Sequence, residues 1–145
     1  MIKHLLLICI LFAGNTHLLL ADEFSSGDIT VTDPWARALP AVAKNGAAYF
    51  SLSNTGEELD RLISATATIA RESQIHRHTM NDGVANMRQV QAIDLPIAET
   101  VVLEPGMGFH IMLLGLKEPL VSGKTFNMTL HFEQAGAISL VVNVK

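Results

Sequence analysis

From residue 29 to its end the chain repeats one pattern: a short run of alternating apolar and polar residues, closed by a turn signal. The runs are ITVTDPWARAL (29–39), AAYFSLSN (47–54), RLISATATIA (61–70), SQIHRHTM (73–80), VANMRQVQAI (84–93), ETVVLEP (99–105), GFHIMLLGL (108–116), KTFNMTLHFE (124–133) and AISLVVNVK (137–145). A period of two sends successive side chains to opposite faces of a strand, so each run offers one face to a core and the other to water. Lys44-Asn45-Gly46, Asn54-Thr55-Gly56, Asp82-Gly83, Pro105-Gly106, Ser122-Gly123 and Ala135-Gly136 supply the breaks. No stretch sustains the 3.6-residue period of an amphipathic helix. Nine short strands at roughly ten-residue spacing predict an all-β fold, an antiparallel sandwich or barrel. Pro34 cannot donate to a ladder and so marks an edge or a bulge in the first strand. Trp35 and Tyr49 read as core and corner residues, because large aromatics dominate cores.

Residues 1–21, MIKHLLLICILFAGNTHLLLA, have the layout of a cleaved secretory signal peptide: a basic Lys3-His4, an apolar run, then small and polar residues. The run is shorter than the ~20 residues of a spanning helix, which argues against a membrane anchor. Cys9 lies early in this leader behind Ile8, a poor context for lipid attachment, and no other cysteine exists. Residues 22–145 therefore form no disulfide and offer no thiolate. They read as one domain, large enough for a core without staples and free of repeats or linkers. Without Lys3 the charge is one unit more negative than the formal −4 of the whole chain, which argues against nucleic acid or an anionic membrane as partner.

Chemistry concentrates in HRHTMNDGVANM (76–87) and FHIML (109–113). Asp82-Gly83 is a two-residue hairpin signal, and that loop sets Asn81 opposite Val84, Met80 opposite Ala85 and His78 opposite Met87. His76, His78 and Met80 then share a face that Met87 joins from the next strand, and His110 and Met112 share a face of their own. A three-residue loop would change which histidine meets Met87. All methionines after Met1 lie at 80, 87, 107, 112 and 128, none in the first half of the chain. The plainer reading is flexible core packing, the usual role of methionine. The paired His-x-Met spacing instead favours a metal, and thioether with imidazole suits copper, as Cu(I). A blue-copper electron carrier would need a Cys thiolate, and no hydrolase or zinc motif is present. His131, alone in its strand, reads as structural.

The order DPWARA (33–38), NGAAYFSLSNTG (45–56), DRL (60–62), His76, MNDGVANMR (80–88), LEPG (103–106), HIMLLGLKEPL (110–120) and TFNMTLHFE (125–133) resembles the PCu(A)C family of periplasmic copper chaperones over essentially all of residues 22–145. The resemblance implies a cupredoxin-like Greek-key β-sandwich and a Cu(I) site made by His76, Met87, His110 and Met112. Ten residues separate His76 from Met87, as in the family's motif; twenty-two separate Met87 from His110, one more than its usual pattern. The surplus falls most easily in the Gly106-Met107-Gly108 turn, which brings Met107 near the site. His78 is extra to the motif, and it and Met80 are candidates for an auxiliary ligand or a transfer handle. The resemblance further implies a periplasmic copper chaperone; the protein is expected to be a monomeric non-enzyme that is not inserted in the membrane. Its Cu(I) would go to the CuA centre of apo-cytochrome c oxidase subunit II, directly or through a Sco-type copper protein. Two other functions fit the same residues: a copper-sequestering protein without a dedicated acceptor, and a metal-free interaction module whose methionines are core.

Overall fold

The alternating runs become strands because each can bury one face, and the ones that bury most form the centre. The computed structural model describes residues 22–145, which contain no helix and eleven strands: β1 (Glu23–Ser26), β2 (Ile29–Ala36), β3 (Asn45–Asn54), β4 (Asp60–Ala67), β5 (Ala70–Asn81), β6 (Val84–Gln89), β7 (Ile93–Leu95), β8 (Thr100–Leu103), β9 (Gly108–Leu116), β10 (Thr125–Phe132) and β11 (Gly136–Val144). They pair in the order β6-β5-β9-β8-β3-β2-β11-β10-β4-β7, with β1 added to β2 and β9 also paired to β3. Pairing is antiparallel except for two short parallel contacts, β2 with β11 and β8 with β9.

This continuous sheet doubles over, so the inward faces of its two halves meet. β2 makes one joint: Trp35 and Ala36 pair with Tyr49 and Ala48 of β3 on one side and with Asn143 and Val144 of β11 on the other. The turn at Thr68-Ile69 makes another, since β4 pairs with β10 whereas β5 pairs with β9. Val31, Leu52, Leu62, Ile111, Leu113, Leu130 and Val142 lie fully buried between the halves. Each contributes on the order of 1.5–3 kcal/mol by leaving water. Two buried polar side chains are satisfied: Asn54 donates to the Glu58 and Leu95 carbonyls, and Asp60 accepts from the Arg61, Gln134 and Ala135 amides.

The all-β expectation holds, with differences that have local causes. Pro34 does sit at a bulge: the β2–β3 register shifts between Thr32 and Trp35, with Asp33 at φ 48°. The run expected over 84–93 is two strands, because after Val90 bonds the Ile75 carbonyl the chain leaves β5 and Ile93 pairs with Leu62 of β4. The 61–70 run ends at the Thr68-Ile69 turn, and β1 was not foreseen. Trp35 and Tyr49 are not core residues. They are half-buried on the outer face, rings 4.8 Å apart, because their neighbours Ala36, Ala48 and Phe50 are the ones turned inward.

Candidate metal centre

β5 changes character at Ile75, its last buried residue; beyond it neither β5 nor any position of β6 is buried. The β5–β6 hairpin therefore extends past the core, held by its own ladder and turn. Asp82 and Gly83 have φ of 51° and 76°, the two positive values a type I′ turn requires. The register is the one this turn predicts, with Asn81 opposite Val84, Met80 opposite Ala85 and His78 opposite Met87. On its other side β5 pairs with β9, which sets His76 opposite His110, Gln74 opposite Met112 and His78 opposite Gly108.

Opposed residues of an antiparallel pair share a face, so His76, His78, Met80, Met87, His110 and Met112 all stand on the outer face of β6-β5-β9. The His76 and His110 rings are 5.7 Å apart. His78, Met87, His110 and Met112 line a hollow of about 330 Å³, whose far wall is Tyr49, Ala47, Leu39 and Arg37 and whose rim is Glu104-Pro105-Gly106. His76 is not part of this lining and lies beside it, against His110. Exposure grades outward: His110 is 6% exposed, Met87 52% and Met80 54%. Met107 is exposed in the loop before β9, and Met128 alone of these methionines is a core residue. His131 lies in β10, opposite Ala137 and Ser64.

Hydrogen bonds set the ring orientations. His76 Nε2–H donates to Gln74 Oε1 at 2.9 Å, and the Gln74 amide donates to Glu72 at 2.6 Å. His76 Nδ1 is left buried with no partner. A buried unpaired acceptor costs about 1–3 kcal/mol, a penalty that a bound ligand would remove. His78 Nδ1–H donates to the Gly106 carbonyl at 2.6 Å, leaving Nε2 as its free lone pair. Burial lowers the pKa of His110, helped by the neighbouring His76 and His78, and burial alone lowers that of His76. Both rings are thus kept neutral, the state that can bind a metal. Among the described residues no three His, Cys, Asp or Glu side chains converge tightly enough to hold an ion. Any set of three or more side-chain donors on this face would have to include a thioether.

Tyr49 and Arg37 were not foreseen in the hollow's wall; Trp35 packs on Tyr49 and is not part of the lining. The signal was available, since β3 alternates strictly and the inward positions of Ala48 and Phe50 force Tyr49 outward. Burial raises the Tyr49 pKa, with Arg37 opposing, so its hydroxyl is a neutral donor at the hollow's wall.

Fold and site together define an all-β domain carrying a soft, His/Met-rich hollow on its outer face. Residues 29–144 match the LpqE-like family of lipoproteins, and the chain belongs to that family. Among relatives, a protein named as a lipoprotein, Lxx21020 of Leifsonia xyli subsp. xyli, is 32% identical over 118 residues, covering 81% of this chain and 69% of that one. Uncharacterized protein RP573 of Rickettsia prowazekii is 32% identical over 119 residues, covering 77% of this chain and 62% of that one, so the chain falls short of these relatives' full length. Of solved structures, the copper-bound PCuAC domain from PmoF2 superposes with TM-score 0.73 at 28% identity, covering 86% of this chain and 97% of that domain. The Cu(I) form of DR1885 from Deinococcus radiodurans superposes with TM-score 0.63 at 30% identity, covering 77% and 74%. The cupredoxin-like sandwich is therefore shared with the PCuAC domains, to whose family this chain belongs.

Proposed function

We propose that this protein is an exported copper chaperone that carries Cu(I) as cargo on His76, Met87, His110 and Met112 and gives it to an apo-protein. The observation that carries the reading is the gathering of two neutral imidazoles and two thioethers on one outer face, with His76 Nδ1 buried and unpaired. Soft thioethers favour Cu(I) over hard cations. Structural relatives that are copper-bound PCuAC domains support the same ion. Export through a cleaved leader, a periplasmic location and a monomeric state belong to this proposal; residues 1–21 lie outside the described structure. The relatives' names as lipoproteins fit export.

Delivery is ligand exchange, not catalysis. An incoming thiol loses its proton to solvent and binds as thiolate, a copper–thioether bond breaks, and the ion stays Cu(I) throughout. The acceptor we propose is the CuA centre of cytochrome c oxidase subunit II, reached directly or through a Sco-type partner. Sequestration without an acceptor predicts retention of copper when apo-subunit II is offered. A metal-free module with core methionines fits poorly, since Met80, Met87 and Met107 are each about half exposed.

The test is a Cu(I) competition titration of the protein against a chromogenic chelator. One-to-one binding that weakens on His76→Ala and Met112→Ala supports the site, and absence of binding removes the reading.

A further inference from the structure

We propose that His78 is an additional copper ligand, forming with Met87 and His110 a second position for the ion, one step nearer the hairpin tip, from which an acceptor thiol removes it. The proposal rests on the Cu(I) reading above.

His78 has two direct cross-strand neighbours on the site face, Met87 on β6 and Gly108 on β9, and His110 is its diagonal neighbour. Opposed Cβ atoms are about 5 Å apart and diagonal ones about 7 Å, both within reach of imidazole and thioether arms that lean together. Its Nδ1–H is committed to the Gly106 carbonyl, so Nε2 is the donor atom that remains. His78 lines the hollow together with Met87, His110 and Met112, which His76 does not.

The two histidines of β5 are alternatives rather than partners. No three His, Cys, Asp or Glu side chains converge among the described residues, so His76, His78 and His110 do not hold one ion together as they stand. Positions two apart on a strand are roughly 6.6 Å apart along it, so the two rings present separate donors, and an ion that stays on His110 and Met87 moves by less than that spacing. His110 and Met87 serve both positions; His76 with Met112 completes the inner one and His78 the outer.

The outer position is also the accessible one. Gly108, facing His78, has φ 98°, and a Cβ built there would meet nothing within 4 Å, so no β9 side chain stands opposite His78 at that position. Beyond it on the same face stands Met80, 54% exposed. In the step outward, the Cu–N bond to His76 and the Cu–S bond to Met112 break as a Cu–N bond to His78 forms. The acceptor's thiol then releases a proton to solvent and binds as thiolate, and the Cu–S bond to Met87 breaks, with no change of oxidation state.

The competing role for His78 is to pin the β8–β9 loop through Gly106, and His78→Asn separates the two. Its amide N–H can replace Nδ1–H toward the Gly106 carbonyl, but it offers no counterpart to Nε2. Protein loaded with one equivalent of Cu(I) is mixed with a dithiol peptide and the transfer followed by stopped flow, for wild type, His78→Ala and His78→Asn. Both variants are expected to lose less equilibrium Cu(I) affinity than His76→Ala and to slow transfer by about tenfold or more. In wild type the His78 Nε2 nitrogen resonance should shift on loading. Wild-type transfer in His78→Asn, an unmoved His78 resonance, or an affinity loss equal to that of His76→Ala would each overturn the proposal. Failure of the underlying copper reading looks different, as wild-type protein that takes up no Cu(I), and it removes both.

Discussion

Met87 and Met128 are the same residue type in opposite environments, and their substitution separates stability from binding. Met128 is 1% exposed, opposite Leu140 and Ala67, whereas Met87 is 52% exposed on a strand with no buried position. Met128→Ala should cost about 2–5 kcal/mol in urea unfolding and leave Cu(I) affinity near wild type. Met87→Ala should change stability by less than about 0.5 kcal/mol and weaken Cu(I) binding by about tenfold or more. Equal stability losses would mean that Met87 is packed like core. The histidines predict a pH profile. The pKa values of His76 and His110 are lowered below the ordinary 6.5, chiefly by burial. Their lone pairs therefore persist as pH falls to 6.5, and Cu(I) affinity should hold from neutral pH down to that point and decline only below it. For the apo-protein the folded pKa is the lower one, so the unfolded chain takes up protons first. The stability these neutral rings permit is present above pH 6.5 and lost as pH falls through 6.5 toward the folded values. A thermal midpoint that stays level across that range would contradict the burial argument.

At the scale of elements, the β5–β6 hairpin is where local sequence and site geometry meet. Gly83 holds φ 76° with nothing within 4 Å of a built Cβ, so Gly83→Val would be strained through its backbone alone. Such strain costs on the order of 1–3 kcal/mol, and β6 has no core contact to resist it. Amides of β6 should exchange faster in that variant while those of β10 and β11 are unchanged, and Cu(I) affinity should fall as Met87 loses its register. Undisturbed exchange in β6 would show that something other than the turn fixes the hairpin. This element was legible in advance because a two-residue turn sets its own register: Asp82-Gly83 alone gives the His78–Met87 pairing. The Pro34 bulge was legible for the same reason, a missing donor acting locally. The pairing of β5 with β9 was not, since the His76–His110 opposition spans more than thirty residues and follows from how the whole sheet closes. β1 and β7, four and three residues long, carry too little alternation to be seen. The outward Tyr49 was misread because aromatic character was weighed above the parity of its own strand.

Over the whole molecule, the donors divide between a rigid frame and a pliable arm. His110 and Met112 sit on β9, which pairs with β5, β8 and β3 and carries the buried Ile111 and Leu113. Met87 sits on β6, an edge strand bonded to β5 alone. An ion held by both sides links β6 to β9 across β5, two strands about 9.5 Å apart. Copper should then act on stability in a pattern set by the topology. At a free ion concentration a hundredfold above Kd, linkage contributes about 2.7 kcal/mol, a rise of roughly 10 °C in thermal midpoint for a domain of this size. The added protection against hydrogen exchange should be largest in β6 and the outer half of β5, which open locally without the ion, and small in β10, β11 and β4, whose opening already requires the core to unfold. A Cu(I) chelator should reverse both effects. Protection confined to β9, with β6 unchanged, would mean that Met87 does not hold the ion and that the hairpin serves some other contact. Protection in β6 that disappears with Met87→Ala would establish the arm as the part that closes over the cargo and opens to release it.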